Sequence, residues 1–336
     1  MSTFRAQRRG SLLSFDWRPT ASVENLQLRS QLLCKIRGFL GERGLTEVET
    51  PACSAAAVTD PALDSLATRF TGPGAAAGKS LYLHTSPEFA MKRLLAAGSG
   101  PIYQICKVFR DGEAGRYHNP EFTLLEWYRP GYDLHQLMDE VSDLVQFVLG
   151  KPVTCHRLSY SELFLNHLGF DPHGVSAEKL RDYAIDLRVA GAGQMRIADS
   201  DSWLDLLLTH CIEPQMGAGM LLVYDYPASQ ASLARIRPGR IPLAERFELY
   251  LNGVELANGF HELADAGEQR RRFHKDLEKR ARENRSAPPL DERFLAALEA
   301  GLPDCSGVAL GIDRLLMCIA GADHIEQVLS FPIDRA

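Results

Sequence analysis

Two runs that alternate apolar with polar residues, 102–110 (IYQICKVFR) and 121–129 (EFTLLEWYR), are separated by only ten residues, DGEAGRYHNP. Alternation of that length is the mark of a half-buried strand, so the pair predicts a long antiparallel hairpin with an enlarged, Gly-bearing loop. A second hairpin is marked by Asn252-Gly253 between FELYL and VELAN, the dipeptide that best suits a two-residue turn. With that turn, Tyr250 opposes Glu255 and Glu248 opposes Ala257. A third run, SGVALGIDRLLMCIAG, reads as a strand passing directly into a helix.

The rest of the chain supplies helices. Residues 23–44 carry an apolar stripe of Leu26, Leu33, Ile36, Phe39 and Leu40 and end in Gly41 and Gly44. TEVETP then alternates as a strand and stops at Pro51, which cannot donate to a ladder. Residues 71–80 read as a turn or loop, 81–89 as a strand, 89–98 as a helix, 134–149 as an amphipathic helix and 264–285 as a charged helix. The stretch 151–240 is mixed and mainly helical, an insertion within one large unit spanning 22–336. Strands that come as hairpins, with helices interspersed and no βαβ rhythm, define an α+β fold on an antiparallel sheet.

Composition narrows the function classes. The chain has 336 residues, 45% hydrophobic and 24% charged, which suits a large globular domain. Its net charge of −6 lacks the basic excess of a broad nucleic-acid-binding surface. Seven Cys without a CxxC pair read as reduced thiols of a cytoplasmic protein. The longest apolar runs are too short to span a bilayer. Residues 1–21 open with an Arg-rich patch and read as a flexible basic arm.

Some motifs dissolve on inspection. GPGAAAGKS lacks the spacing of a phosphate-binding P-loop and precedes a strand where a helix N-terminus is required. HELAD at His261 lacks the second His of a zinc-protease motif. Others gain weight. Phe122, Leu124, Glu126 and Tyr128 share one face of their strand, and Phe122 and Tyr128 stand about 20 Å apart at strand rise, the length of a nucleotide joined to a small substrate. Arg110 on the partner strand suits bidentate grip of a phosphate. Glu248 and Glu255 fall as diagonal neighbours about 6–8 Å apart at Cα, and two carboxylates that close call for a cation such as Mg²⁺ with substrate phosphates. Gly311 allows a close backbone approach, and Arg314 falls in the first turn of its helix, where the dipole favours phosphate.

Taken in order, FLGERGLTEVETP, FRDGEAGRYHNPEFTLLEWY and GVALGIDRLLM resemble the three signature motifs of class II aminoacyl-tRNA synthetases. TSPE, RYHNPEFT and ELANGFHEL are similar to the lysyl subtype. Lysyl-tRNA synthetases carry an N-terminal anticodon-reading domain, and the roughly twenty residues before the first motif leave no room for one. Among lysyl-like proteins without that domain, the chain resembles the ligases that attach β-lysine to a lysine of elongation factor P, through GRYHNPEFTLLEWYRP, PASQASLA, ELANGFHEL and PDCSGVALG.

The resemblance implies an AMP-forming, ATP-dependent ligase, a homodimer through the first motif, and a set of roles. Arg110 would grip the α-phosphate, with Asp111, Gly112, Glu113 and Leu256 lining the ATP site. His118 and Asn119 would lie by the phosphates and ribose, Phe122 under adenine, and Arg314 over adenine and the γ-phosphate with Gly311 beside it. Glu248 and Glu255 would hold Mg²⁺. Ser86, Pro87, Glu88 and Glu126 would face the amino group near the carboxylate, while Tyr128, Asn258 and Glu262 would take the distal ammonium of β-lysine or lysine. The second motif normally runs Arg-x-Glu; here Gly112 takes the Glu position and Glu113 follows, so the resemblance implies that Glu113 substitutes after a small loop shift. Lysyl-tRNA synthetases usually have Gly where Ala309 stands, and the added methyl would favour a β-amino acid. A tRNA-charging fragment and a non-catalytic ATP-binding module are the competing readings. The charge balance argues against the first and the near-complete ATP set against the second.

Overall fold

The computed structural model describes residues 17–74 and 78–336, so most of the arm read at 1–21 and the centre of the loop at 71–80 lie outside the described residues. The strands are β1 (Thr46–Glu47), β2 (Cys53–Ser54), β3 (Ala67–Phe70), β4 (Lys79–Leu83), β5 (Ile102–Phe109), β6 (Glu121–Pro130), β7 (Cys155–Ser159), β8 (Met220–Pro227), β9 (Ile236–Arg237), β10 (Leu243–Leu251), β11 (Val254–His261) and β12 (Cys305–Gly311). The helices are α1 (Val23–Glu42), α2 (Glu88–Ala96), α3 (Leu134–Leu149), α4 (Tyr160–Leu168), α5 (Ala177–Asp186), α6 (Ser200–Leu207), α7 (Ala266–Arg282), α8 (Glu292–Gly301) and α9 (Ile312–Ala320).

The main sheet runs β1-β5-β6-β12-β11-β10-β8-β7, with β9 beside β10. Its centre is antiparallel, as the hairpins predict. Two parallel pairs, β1 with β5 and β7 with β8, lie at its margins. The stretch 151–240 is mixed, as expected, with α4, α5 and α6 alongside strands: β8 pairs with β10 along most of its length and carries the sheet into this region.

β6 shows how the sheet divides its work. Trp127 donates from Nε1 to Glu140 Oε2 on α3 (3.1 Å), and Arg129 pairs with the same carboxylate. Their neighbours Glu126 and Tyr128 point to the opposite face, as the two-residue period demands. On the α3 side, Leu125, Trp127, Val308, Leu310 and Leu249 pack with α1, α3 and α9 into the largest core cluster. On the other side, Tyr128 and Phe260 meet Met91, Phe273 and Phe294 from α2, α7 and α8. Local chemistry fixes the helix ends. Asp133 and Gln136 form a reciprocal capping box at the start of α3, and Gly150 closes it at φ 66°.

One register expectation fails. Tyr250 does oppose Glu255, but Glu248 pairs with Asn258 and Leu249 with Ala257. Leu256 is the extra residue of a β-bulge, which shifts the ladder by one position.

Candidate active site

The register lines up a row of side chains across five neighbouring strands: Glu248, Asn258, Ala309, Glu126 and Gln104. Paired residues in a ladder share a face, so this row is a floor, with carboxylates near both ends. A cavity of about 1130 Å³ opens above it, reaching Arg110, Ser86, Glu88, Arg246 and Ala309 and continuing toward α7.

At one end three carboxylates converge. Glu126 is buried; Ser86 Oγ donates to its Oε2 (2.9 Å) and the Tyr128 hydroxyl to its Oε1 (2.7 Å). Ser86 Oγ in turn accepts from the Glu88 N–H (3.0 Å), fixing the start of α2 just after Pro87. Glu88 and the buried Glu262 both contact Lys92. Burial, then the charge of Glu88, push the Glu126 carboxyl up to about 8, with Tyr128 and Ser86 opposing. Burial works against the charge on Glu262 as well, and Lys92 opposes that. Gly307 makes this end possible. A Cβ there would stand 2.3 Å from the Tyr128 ring and 2.5 Å from Glu262 Oε1.

Along β5 and β6, toward the loop that joins them, the charges are cationic and less enclosed. Arg110, just past β5, lies with its guanidinium carbon 5.0 Å from the centroid of the Phe122 ring. Its Nη1 is 3.7 Å from Glu113 Oε1. Arg314, in the first turn of α9, donates from Nη1 to the Glu255 carbonyl (2.9 Å) and carboxylate (3.2 Å), and its Nη2 lies 2.7 Å from His118 Nε2. Burial and then Arg314 hold the His118 imidazole below its ordinary range, so its free nitrogen can accept that contact. The helix carrying Arg314 is fixed to β6: Asp313 Oδ2 accepts from the Thr123 N–H (2.6 Å), and Asp313 also pairs with Arg29 of α1. Gly112 adopts φ 77°, a conformation that disfavours a side chain. Asp111 is exposed, its N–H donating to the Asp64 carbonyl (2.8 Å).

Glu248 and Glu255 are neighbours, each raising the other's environment in negative charge. The Glu255 carboxyl is pushed up by its recessed position and by Glu248, with Arg314 and Arg110 opposing. Glu248 is already engaged: Arg246 donates to Oε1 (2.5 Å), and Tyr226 and Tyr250 donate to Oε2 (2.7 and 2.6 Å). Glu213, absent from the sequence-derived set, is a third carboxyl in this corner, pushed up to about 7 by burial, Glu255 and Glu248. Among the described residues no group of three or more His, Cys, Asp or Glu side chains is arranged to hold a metal ion. A cation between Glu248 and Glu255 therefore needs oxygens from a bound ligand, which suits Mg²⁺ carried by phosphates.

Several expected residues serve differently. Asn119 is buried and its amide is used within the chain: Nδ2 donates to the Glu121 carbonyl (2.6 Å) and Oδ1 accepts from the Ile333 N–H (3.1 Å). Leu256 turns its side chain into the core, leaving only backbone for a ligand. Asn258 Oδ1 accepts from Arg246 Nε (3.2 Å). Gly311 involves no close approach within the chain, since a Cβ there would meet nothing nearer than 3.8 Å. Lys92 and Gly307 escaped sequence reasoning. The only hint of Lys92 was its position four residues after Glu88.

A sheet, motif order and cationic clasp of this kind define the catalytic domain of a class II synthetase, and a family model described as tRNA synthetases class II (D, K and N) matches residues 7–335. Proteins named elongation factor P–(R)-β-lysine ligase from Edwardsiella ictaluri and Pectobacterium atrosepticum are 52% and 53% identical over 321 and 323 residues, covering 95% of this chain and 98% of each relative. The Proteus mirabilis protein of the same name is 52% identical over 322 residues, 96% of this chain and 98% of the relative. The chain belongs to the family of elongation factor P–(R)-β-lysine ligases.

Proposed function

We propose that this ligase activates (R)-β-lysine, or lysine, with ATP and transfers it to a lysine side chain of elongation factor P. The observation that supports the reading is one cavity lined by Ser86, Glu88, Ala309 and Arg110, over a floor on which Ala309 stands between Glu126 and Asn258. A substrate with two ammonium groups needs a carboxylate for each when it leaves water. Glu88 and Glu126 would face the amino group near the reacting carboxylate, and Glu262 and Tyr128 the distal one. The Ala309 methyl, directly across from Glu126, would favour a β-placed amino group.

Phe122 would support the adenine and Glu113 its amino edge, with Arg110 on the α-phosphate and Arg314 on the γ-phosphate. Mg²⁺, when bound by Glu255 with Glu248 behind it, would supply charge neutralisation on the phosphates. The substrate carboxylate attacks the α-phosphorus and pyrophosphate leaves. The chain's own contribution is alignment and preset positive charge. In the second step the acceptor amine, with an ordinary pKa of about 10.4, loses a proton and displaces AMP. A cytoplasmic homodimer meeting through α1 and β1 belongs to the same reading, and sedimentation at micromolar concentration tests the dimer.

One reaction set tests the function. The full chain is incubated with ATP and labelled β-lysine or lysine, then with elongation factor P or tRNA. Label on elongation factor P is the expected result. Label on tRNA, or ATP binding without pyrophosphate exchange, would overturn it.

A further inference from the structure

The amino-acid pocket contains a cation of its own. Lys92 Nζ stands 2.6 Å from Glu88 Oε1 and 2.6 Å from Glu262 Oε2, and its side chain is 1% exposed. Its stem passes Phe294, whose ring centroid lies 5.8 Å from Nζ. Apart from that ammonium, Glu262 Oε2 has no hydrogen-bond partner. A buried ammonium costs several kcal/mol of desolvation, so packing alone would be better met by Met or Leu. Burial pulls the Lys92 ammonium down, but Glu262 and Glu88 overcome this and hold it above its ordinary range, so it stays charged.

The two carboxylates that Lys92 joins come from the start of α2 and from just past β11, elements that no local hydrogen bond ties together. One ammonium therefore sets the distance between them. It also sets the charge. Once Glu126 has given up the proton that burial and Glu88 favour, Glu88, Glu126 and Glu262 against Lys92 leave two negative charges, the number that two substrate ammonium groups match. We propose that Lys92 is a positioning residue for the diamino acid: a resident counter-ion that holds Glu88 and Glu262 apart, each toward its own substrate ammonium, and cancels the surplus negative charge. This rests on the reading that a diamino acid fills the pocket.

Without Lys92, a further carboxylate besides Glu126 keeps a proton, and an incoming ammonium must displace that one as well. Arg110 and Arg246, which line the same cavity, stay charged, and Tyr128, Cys305 and Cys106 stay neutral across the accessible range. Burial and Glu126 push Tyr128 well up, burial and Glu262 push Cys305 of β12 well up, and burial and Glu126 push Cys106 of β5 up to about 12. The pH response is therefore that of the carboxylates.

The test uses Lys92→Met and Lys92→Arg in the full chain. Pyrophosphate exchange gives KM for β-lysine and for ATP at pH 7 and pH 9, and calorimetry gives diamino-acid binding. In Lys92→Met the amino-acid KM is expected to rise about tenfold or more at pH 7, one protonation unit's worth. The rise should shrink at pH 9 while the ATP KM stays within about twofold. Lys92→Arg, which keeps the charge, should lose less. An amino-acid KM within about threefold of wild type, or a loss equal at both pH values, would overturn the proposal. So would failure of both variants to fold, because carboxylates able to take up a proton should spare the fold. If the wild-type chain binds no diamino acid, the failure lies in the reading of the pocket; if it binds and Lys92→Met binds equally well, Lys92 alone is wrong.

Discussion

The two ends of the catalytic floor handle charge in opposite ways. In the carboxylate pocket Glu126, Tyr128, Glu262 and Lys92 are almost wholly buried, with Tyr128 donating to Glu126 at 2.7 Å and Lys92 standing 2.6 Å from Glu262. At the nucleotide end Arg110 and Glu113 are each about a quarter exposed and 3.7 Å apart, and Arg314 rests against a carboxylate that is 40% exposed. The first end has its hydrogen-bonded geometry set before substrate arrives, which favours discrimination between similar small molecules. The second holds its arginines less enclosed, and on the proposed reading a triphosphate, with more charge and better bidentate geometry, would displace their partners.

The sharpest way to break this contrast is at the loose end. Arg110→Ala should lower kcat in pyrophosphate exchange about 10²–10³-fold, the loss typical of one preset transition-state contact, with the amino-acid KM nearly unchanged. A comparable rise in amino-acid KM would mean the two ends are not separate. At the tight end, Gly307→Ala forces a methyl into the Tyr128 ring and the Glu262 carboxylate. Overpacking of about 1–3 kcal/mol predicts a roughly 10–100-fold higher amino-acid KM, read in the same assay, and an unmoved ATP KM.

A third, smaller effect separates the ends by pH. The Glu126 carboxyl, raised to about 8, carries a proton in the empty pocket at pH 7 and must release it when an ammonium binds. Affinity for the diamino acid, measured by calorimetry, should therefore rise about fivefold from pH 7 to pH 8. It should then level off and fall as the substrate's ammonium groups titrate, the one near the carboxylate first and the distal one near about 10.4, and Glu126→Gln should flatten the rise. Smallest is Ala309→Gly, which should shift the kcat/KM ratio toward lysine over β-lysine by a few-fold, the scale of one methyl in a pocket. Unchanged lysine use would remove Ala309 as a determinant.

The same contrast explains what the sequence could reveal. α3 follows from its apolar period and its Asp-to-Gln capping box, and the β10–β11 turn from Asn252-Gly253, because those signals act within a few residues. The grouping of Arg110, Glu113, His118 and Phe122 was legible for the same reason, since they lie on one continuous loop and strand. The pocket was less so. A lysine on an amphipathic helix reads as solvated until Glu262, 170 positions later, is folded against it. The bulge at Leu256 is invisible from the turn alone, and the need for glycine at 307 arises only when Tyr128 and Glu262 cross above it.

Asn119 carries a last implication. Its amide joins the loop beside Arg110 to the backbone of Ile333, while Thr20 and Ala21 bond to Ser330 and Leu329 in the same tail. Fraying of a stretch more than two hundred positions away would be felt as slackened grip on the nucleotide. Damage there would pass for a defect in ATP recognition although no residue touching ATP had changed.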